Sequence, residues 1–590
     1  MAVENLITEH IDIWTSAVKT KSASGRGSSK KLELYGIKKL RELILELAIR
    51  GKLVPQDPSD EPASVLLERI AQERAQLIKD KKIKRSKKLP PVAEEDLKDD
   101  LPLGWQVSRL GEFVSIIRGI TFPASAKHNE PESNLIACLR TANVQTQLDW
   151  DDLIYVERSY VKREEQMLAV GDIVMSMANS RELVGKVSYT YFLPKNLDVS
   201  FGGFLSVIRP YQLDSAFLMM VLRSPSVRDE LVGSSSQTTN IANISLEKLN
   251  PLVVSIPPLK EQQRIVAKVD ELMALCDQLE QQTEDSIEAH QVLVTTLLDT
   301  LTSSANADEL MQNWARISEH FDTLFTTEES IDQLKQTILQ LAVMGKLVPQ
   351  DPTDEPAAKL LERIAEEKAQ LVKEKKIKKQ KALPPIAEDE KPFELPSGWE
   401  WCRLGQIGYD LGGGTPSKSN SKYWDGEIPW VSPKDMKVDF IESAIDTVTE
   451  KAIKETTIKL IPKNSLLMVV RGMILAHSFP VALTNKDVVI NQDMKALVFS
   501  NIDPHYLLTV MKATKTTFTD LVDRSSHGTC KLISEKLWNV TLAIPPLNEQ
   551  KKINMMLEQI MDICEQLKQG IRKKYQNQLH LTDTIVEQAV

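Results

Sequence analysis

The stretch GKLVPQDPSDEPASVLLERIAQERAQLIKDKKIKRSKKLPPVAE, Gly51 to Glu94, returns almost unchanged as GKLVPQDPTDEPAAKLLERIAEEKAQLVKEKKIKKQKALPPIAE, Gly345 to Glu388. Each copy runs into the same junction, LPLGWQVSRLG from Leu101 and LPSGWEWCRLG from Leu395. Each following segment closes on a second shared mark, SIPPLKEQ from Ser255 and AIPPLNEQ from Ala543. Between the marks the two segments share little. The repeat is too long for a solenoid unit, so the chain reads as one scaffold used twice, holding two divergent inserts.

After IPP the frame reads as helix. Ile265, Val269, Leu272, Cys276 and Leu279 recur at alternating spacings of four and three, and Ile553, Leu557, Ile560, Cys564 and Leu567 repeat those spacings. One such run fits ordinary helix packing; two matched runs predict a coiled-coil seam and paired antiparallel helices. The motif ISEHFD from Ile317 precedes the Gly345 block and ITEHID from Ile7 precedes the Gly51 block. The helix ending at Val590 matches the part of the central helix that precedes this motif, so the second frame is split between the two chain ends. A circularly permuted repeat of this kind predicts a closed, pseudo-twofold object whose ends lie close together.

The inserts read as α+β domains. DIVMSMAN, GKVSYTYF and FLSVIRP in the first, and SLLMVVRG and MKALVFS in the second, have strand character. Helical runs follow from Ser215 and Pro504, and each insert then offers a polar loop, GSSSQTTNIANIS from Gly233 and RSSHGTCKLIS from Arg524. The expected division is an N-terminal helical frame over 1–100, a first insert over 101–256 and a central frame over 257–394. A second insert over 395–544 and a closing helix over 545–590, paired with the central helix, complete it. The fold class is α+β: two α+β domains separated by long antiparallel coiled-coil helices.

A chain of 590 residues with 42% apolar content holds several domains with real cores. Five cysteines without a CxxC pair, no apolar run of spanning length and no signal peptide at MAVENLITEH predict a cytoplasmic protein without disulfides or structural zinc. The formal charge of −9 argues against strong nonspecific nucleic-acid binding. Lysine runs from Lys79 and Lys373 read as solvated helix faces. The Ser-, Gly- and Lys-rich TKSASGRGSSKKLELYG from Thr20 reads as a mobile surface loop, with phosphate contact the alternative.

Catalytic motifs are missing. There is no GxxxxGK[ST] loop, and Gly412-Gly-Gly-Thr-Pro416 reads as a turn. No Asn/Asp-Pro-Pro-aromatic tetrapeptide of the kind used by amino-methyltransferases occurs, nor a GxSxG elbow. The eight histidines are scattered, and Glu374-Lys-Lys376 lacks the upstream Pro-Asp of a nuclease metal site. The expected site has no catalytic residue and no metal ligand, which makes the chain a recogniser.

The order of insert, IPPLxEQ helix, GKLVPQDP block, LPxGW entry, second insert and second IPPLxEQ helix resembles the DNA specificity subunit of type I restriction-modification systems, across essentially the whole chain. GRGSSKKLELYGIKKLRELILELA is similar to the N-terminal extension of a long-form subfamily. The second insert resembles a common target-recognition domain at GGGTPSKSNSKYWDGEIPWVSPKDMK, at Arg471-Gly and at Asn491-Gln-Asp493; the first has IIRGITFP and LRTANVQ instead. The resemblance implies double-stranded DNA as ligand, each domain reading one half of a split, asymmetric target, and the paired helices fixing the gap. It also implies two methyltransferase subunits and two restriction subunits as partners. S-adenosylmethionine, ATP and magnesium would act in those partners, leaving no cofactor in this chain. The alternative is a coiled-coil protein-interaction scaffold without DNA sequence specificity.

Major-groove reading needs Arg or Lys for guanine, Asn or Gln for adenine, and small hydroxyls or methyls, held on loops by a rigid body. The expected DNA-binding residues are Arg140, Thr141, Asn143, Asn179, Arg181, Ser235 and Gln237 in the first insert. In the second they are Thr415, Ser417, Lys418, Ser432, Lys434, Arg471, Ser526 and His527. Asn491-Gln-Asp493 is expected to be a structural turn beside the site, and Trp105 and Trp399 are expected to be packing anchors.

Overall fold

The computed structural model describes residues 3–21, 31–80, 83, 88–93, 101–233, 236–238, 241–524 and 530–590. The chain forms two compact units, one of residues 1–286 with 574–590 and one of residues 287–573. The chain ends therefore meet in the first unit, as the permuted repeat predicts.

In the first unit a frame helix, α1 (Tyr35–Ile49), precedes α2 (Ala63–Lys79) in the repeated block. The first insert opens with β1 (Gln106–Arg109), followed by β2 (Val114–Arg118), β3 (Leu135–Leu139), β4 (Ile154–Glu157), β5 (Ile173–Ser176), β6 (Val187–Tyr189), β7 (Val199–Phe201) and β8 (Leu205–Pro210). Helix α3 (Ser215–Arg223) and strand β9 (Val253–Ile256) complete it before the long helix α4 (Leu259–Ser303). One sheet has the order β2-β8-β5-β6, a second β7-β3-β4, and β9 pairs with β1 to close the insert where it opened.

The second unit repeats this plan. Helices α5 (Glu328–Val343) and α6 (Ala357–Lys373) are followed by β10 (Glu400–Arg403), β11 (Gly408–Gly412), β12 (Trp424–Val431), β13 (Leu466–Val469), β14 (Val481–Thr484), β15 (Val489–Ile490) and β16 (Met494–Phe499). Helix α7 (Pro504–Ala513), strand β17 (Thr541–Ile544) and the long helix α8 (Leu547–Ala589) end the chain. Here β11-β16-β13-β14 are consecutive neighbours in the main sheet, β12 pairs with β15 in the other, and β17 closes on β10.

Local chemistry explains the starts of the helices. Thr327 caps α5 reciprocally with Ser330, and Asp214 and Asp503 accept the free N–H groups at the starts of α3 and α7. The seam residues Ile265, Val269, Leu272 and Cys276 are buried, as are Ile553, Leu557 and Cys564. Leu279, Ile560 and Leu567 are half-buried.

Within each unit the frame helix flanks the seam. Arg41 of α1 pairs with Asp277 and Glu280 at 2.7 Å each. In the second unit Lys568 pairs with Asp332 of α5 at 2.9 Å and Arg572 with Glu328 at 2.6 Å. Both long helices are divided between the units, the first holding residues 574–590 of α8 and the second residues 287–303 of α4. In the first, Tyr35 donates to Asp583 at 2.6 Å, Gln578 to the Ser16 hydroxyl at 2.9 Å, and Arg50 to the Val590 carbonyl at 3.2 Å. In the second, Gln333 donates to Thr295 at 3.3 Å and Lys346 to the Ser304 carbonyl at 2.8 Å.

Two sequence expectations change here. The lysine run from Lys373 does not continue a helix: α6 stops at Lys373, and Lys375 sits at a φ of 57°. Most of the run from Lys79, and residues 22–30 of the N-terminal tract, lie outside the described residues; Lys19–Lys21 and Lys31–Glu33 on either side of that tract pair antiparallel. The polar loop from Gly233 contains a small ladder in which Ser236–Thr238 pairs with Ile241–Asn243, and the latter with Ala178–Asn179. Its polar composition hid the strands, because neither carries an apolar alternation.

Candidate nucleic-acid interface

Each insert is seated on its frame by one repeated junction. The Trp105 indole N–H donates to Glu261 at 3.1 Å, and Trp399 donates to Glu549 at 3.0 and 3.1 Å. Both rings are only 6% exposed. Gln56 and Gln350 of the repeated blocks donate to the same two carboxylates, at 3.3 Å in each case. Burial pushes the carboxyl pKa of both Glu261 and Glu549 up, against the lowering effect of these donors. Gly51 and Gly345 take φ values of 67° and 70°, and a Cβ on either would lie 2.5 Å from a proline ring and 2.9 Å from the tryptophan. Only glycine fits both demands.

The neighbouring glutamines orient the inserts. Gln262 accepts from Asp214 N–H at 2.9 Å and donates to the Pro257 carbonyl at 2.9 Å; Gln550 does the same with Asp503 at 2.8 Å and Pro545 at 3.0 Å. The shared EQ pair after IPPL thus ties the long helix to the insert's entry tryptophan and to its last large helix.

From this seat, each insert carries several chain segments to one rim. In the first, parallel strands β3 and β7 end together: Gly202 N–H donates to the Leu139 carbonyl at 2.9 Å. Arg140 and Thr141 follow one strand, and the turn Gly202–Phe204 follows the other. Ile120 bridges to Gly202, which brings Thr121 alongside. Met177 N–H donates to the Phe204 carbonyl and Ile244 N–H to the Met177 carbonyl, at 2.9 Å each, adding Asn179 and the paired strands Ser236–Thr238 and Ile241–Asn243.

The second rim reproduces this backbone. Asn491 N–H donates to the Val431 carbonyl, Val470 N–H to the Asp493 carbonyl, and Leu532 N–H to the Val470 carbonyl, all at 2.9 Å. Gly414 N–H donates to the Ile490 carbonyl at 2.9 Å. Gly412–Pro416 is thus a strand end running on as extended chain, not the expected turn. A Cβ on Gly413 would lie 1.9 Å from the Asn491 carbonyl oxygen, so glycine is needed for this approach. Matched by these bonds, Thr121 stands where Thr415 does, Arg140 where Ser432 does, and Asn179 beside the place of Arg471. Phe204 occupies the place of Asp493.

The expected reading residues fall into three groups. Arg181, Thr415, Ser417, Lys418, Lys434 and Arg471 are exposed, and Arg140, Thr141, Asn179 and Ser432 are half-buried. Arg140 pairs with Asp152 at 2.6 Å, while its Nε is buried without a partner. Ser432 donates to Asp435 at 2.8 Å, and Arg471 lies 3.8 Å from Asp493. Asn143 is a correction. It is 0% exposed, its Oδ1 accepts from Arg140 N–H at 2.7 Å, and its amide donates to the carbonyls of Asp149 and Asp152 at 3.1 and 3.0 Å. With its hydrogen bonds spent inside the loop it shapes the rim and has no edge left for a base; Asp435 holds Ser432 N–H at 2.9 Å in the same way. Ser235, Ser526 and His527 lie outside the described residues, and Gln237 is described only as part of its strand.

Sequence reading did not place Thr121 or Phe204 on the rim, and took Gln492 as part of a structural turn beside it. Phe204 follows a Gly-Gly pair between two strand runs, and Gln492 accepts a hydrogen bond from Thr415 across 77 positions of chain, a separation that local pattern cannot bridge.

Two matched rims on a duplicated helical frame define a two-headed recognition scaffold. The family model for the type I restriction modification DNA specificity domain matches residues 102–289 and again 396–576. The chain is 41% identical over 617 aligned positions to the type I restriction enzyme EcoAI specificity subunit of Escherichia coli, covering 100% of each. It is 40% identical over 623 positions to the EcoEI specificity subunit of Escherichia coli, again covering 100% of each. Among solved structures, a chain from a type I R-M system aligns with 18% identity and a TM-score of 0.45, covering 83% of this chain and 98% of that one. The chain belongs to the DNA specificity subunits of type I restriction-modification enzymes.

Proposed function

We propose that this chain gives a type I restriction-modification enzyme its DNA address. The domain over 101–256 reads one half of a split, asymmetric target and the domain over 395–544 reads the other, through the major groove. The helices over 257–394 and 545–590, with the frame over 1–100, set the gap between the halves and dock two methyltransferase and two restriction subunits. Adenine methylation and ATP-dependent cleavage, with their S-adenosylmethionine, ATP and magnesium, belong to those partners, and the complex works in the cytoplasm. Among the described residues no helix is long and apolar enough to cross a membrane.

One observation carries this reading: the same rim is built twice from the same backbone bonds, with different side chains on it. That is what two readers of different half-sites require. A formal charge of −9 leaves part of the phosphate neutralisation to partner subunits enclosing the DNA.

The test is co-expression of this chain with its methyltransferase in a methylation-free host, followed by mapping of N6-methyladenine. A split motif with a fixed gap is expected, and exchange of residues 395–544 for another second insert should change one half alone. Soluble, associated proteins that leave no methylation would overturn the proposal.

A further inference from the structure

Phe204 is 70% exposed, more than any other aromatic side chain among the described residues. Its main chain is nevertheless firmly held. The Phe204 carbonyl accepts from Met177 N–H at 2.9 Å, Leu205 N–H donates to the Gly202 carbonyl at 2.8 Å, and Gly202 N–H donates to Leu139. A single apolar side chain at a surface is ordinary. This one stands on a pinned turn, on the rim that also carries Arg140, Thr141 and Asn179, with its ring held out to solvent.

Three base edges have a match on this rim. Arg140, whose guanidinium tip meets the surface carboxylate of Asp152 at 2.6 Å, suits guanine, and Asn179 suits adenine; the C5 methyl of thymine calls for an apolar surface. We infer that Phe204 is a base-reading residue of the first domain, its ring taking a thymine methyl in the major groove. This rests on the DNA-address reading above. The matching turn of the second domain carries exposed Gln492, which accepts from Thr415, and Asp493 in the place of Phe204. The same turn is therefore apolar in one domain and polar in the other.

The experiment uses the complex of full-length chain and methyltransferase, with the split target first taken from the methylation map. Each thymine in the half read by the first domain is replaced singly by deoxyuridine, which lacks only the C5 methyl. One position should weaken binding about fourfold, roughly the value of burying one such group, and no position in the other half should respond through Phe204. F204A should bind the thymine and uracil duplexes equally, with its melting temperature unchanged because the ring lies outside the core, and F204L should restore part of the thymine preference.

If F204A keeps the wild-type preference at every position, the inference falls. It falls equally if F204A loses affinity for all sequences alike, which would make the ring a backbone or shape contact. A wild-type complex with no split motif would instead sink the functional reading beneath it.

Discussion

The two frame junctions and the two rims differ in what is kept. At the junctions the same side chains make the same bonds: tryptophan and glutamine onto glutamate, and a glycine under the tryptophan ring. At the rims the matched bonds are those of the main chain and of the buried Asn143 and half-buried Asp435 that hold it, while the outward side chains change from Arg140 to Ser432 and from Phe204 to Asp493. Geometry carried by backbone amides and carbonyls leaves side chains free to change chemistry. A junction closed by a buried carboxylate does not have that freedom, because an unpaired polar group left there is costly.

The comparison breaks most readily at the tryptophans. Trp105→Ala and Trp399→Ala should each cost about 3–5 kcal/mol, the usual loss for deleting a large buried side chain, and denaturant unfolding of the full chain should show similar losses for the two. A large loss in one and none in the other would end the equivalence of the frames.

At the rims, Asn143→Ala and Asp435→Ala remove the groups that hold Arg140 N–H and Ser432 N–H. Each should cost about 1–3 kcal/mol, since buried donors are left unpaired. Methylation mapping should then show relaxed recognition in one half only, the first for Asn143 and the second for Asp435. Relaxation of both halves by either variant would contradict separate readers.

The smallest effect concerns pH. The carboxyls of Glu261 and Glu549 titrate above their ordinary value of 4.5 in the folded chain because burial disfavours the charge. The folded state therefore holds protons that the unfolded chain has released. Their contribution to stability is greatest below that ordinary value and declines as pH rises through it toward the raised values. The double variant Glu261→Gln with Glu549→Gln keeps an acceptor for each tryptophan, so its unfolding midpoint should rise relative to the wild type's between pH 4 and pH 7. An unchanged slope would show that these carboxyls do not carry it.

Much of this was legible along the chain because duplication amplifies local signals. Two copies of the Ile265 and Ile553 spacings marked the long helices, and the LPxGW and IPPLxEQ marks bounded the inserts. Asn143 misled because the same amide that suits adenine also suits a tight loop, and burial is not a local property. The paired strands Ser236–Thr238 and Ile241–Asn243 were read as a loop because each is only three residues long in a mostly polar stretch, too short to display strand periodicity.

The sequence by itself determined the doubled frame, its split across the chain ends and the buried faces of its helices, because these follow from short-range spacing repeated twice. Only the tertiary structure decided which residues share a rim. Thr121, Arg140, Asn179 and Phe204 come from four separate segments, and only the parallel pairing of β3 with β7 and the main-chain bonds around it bring them together.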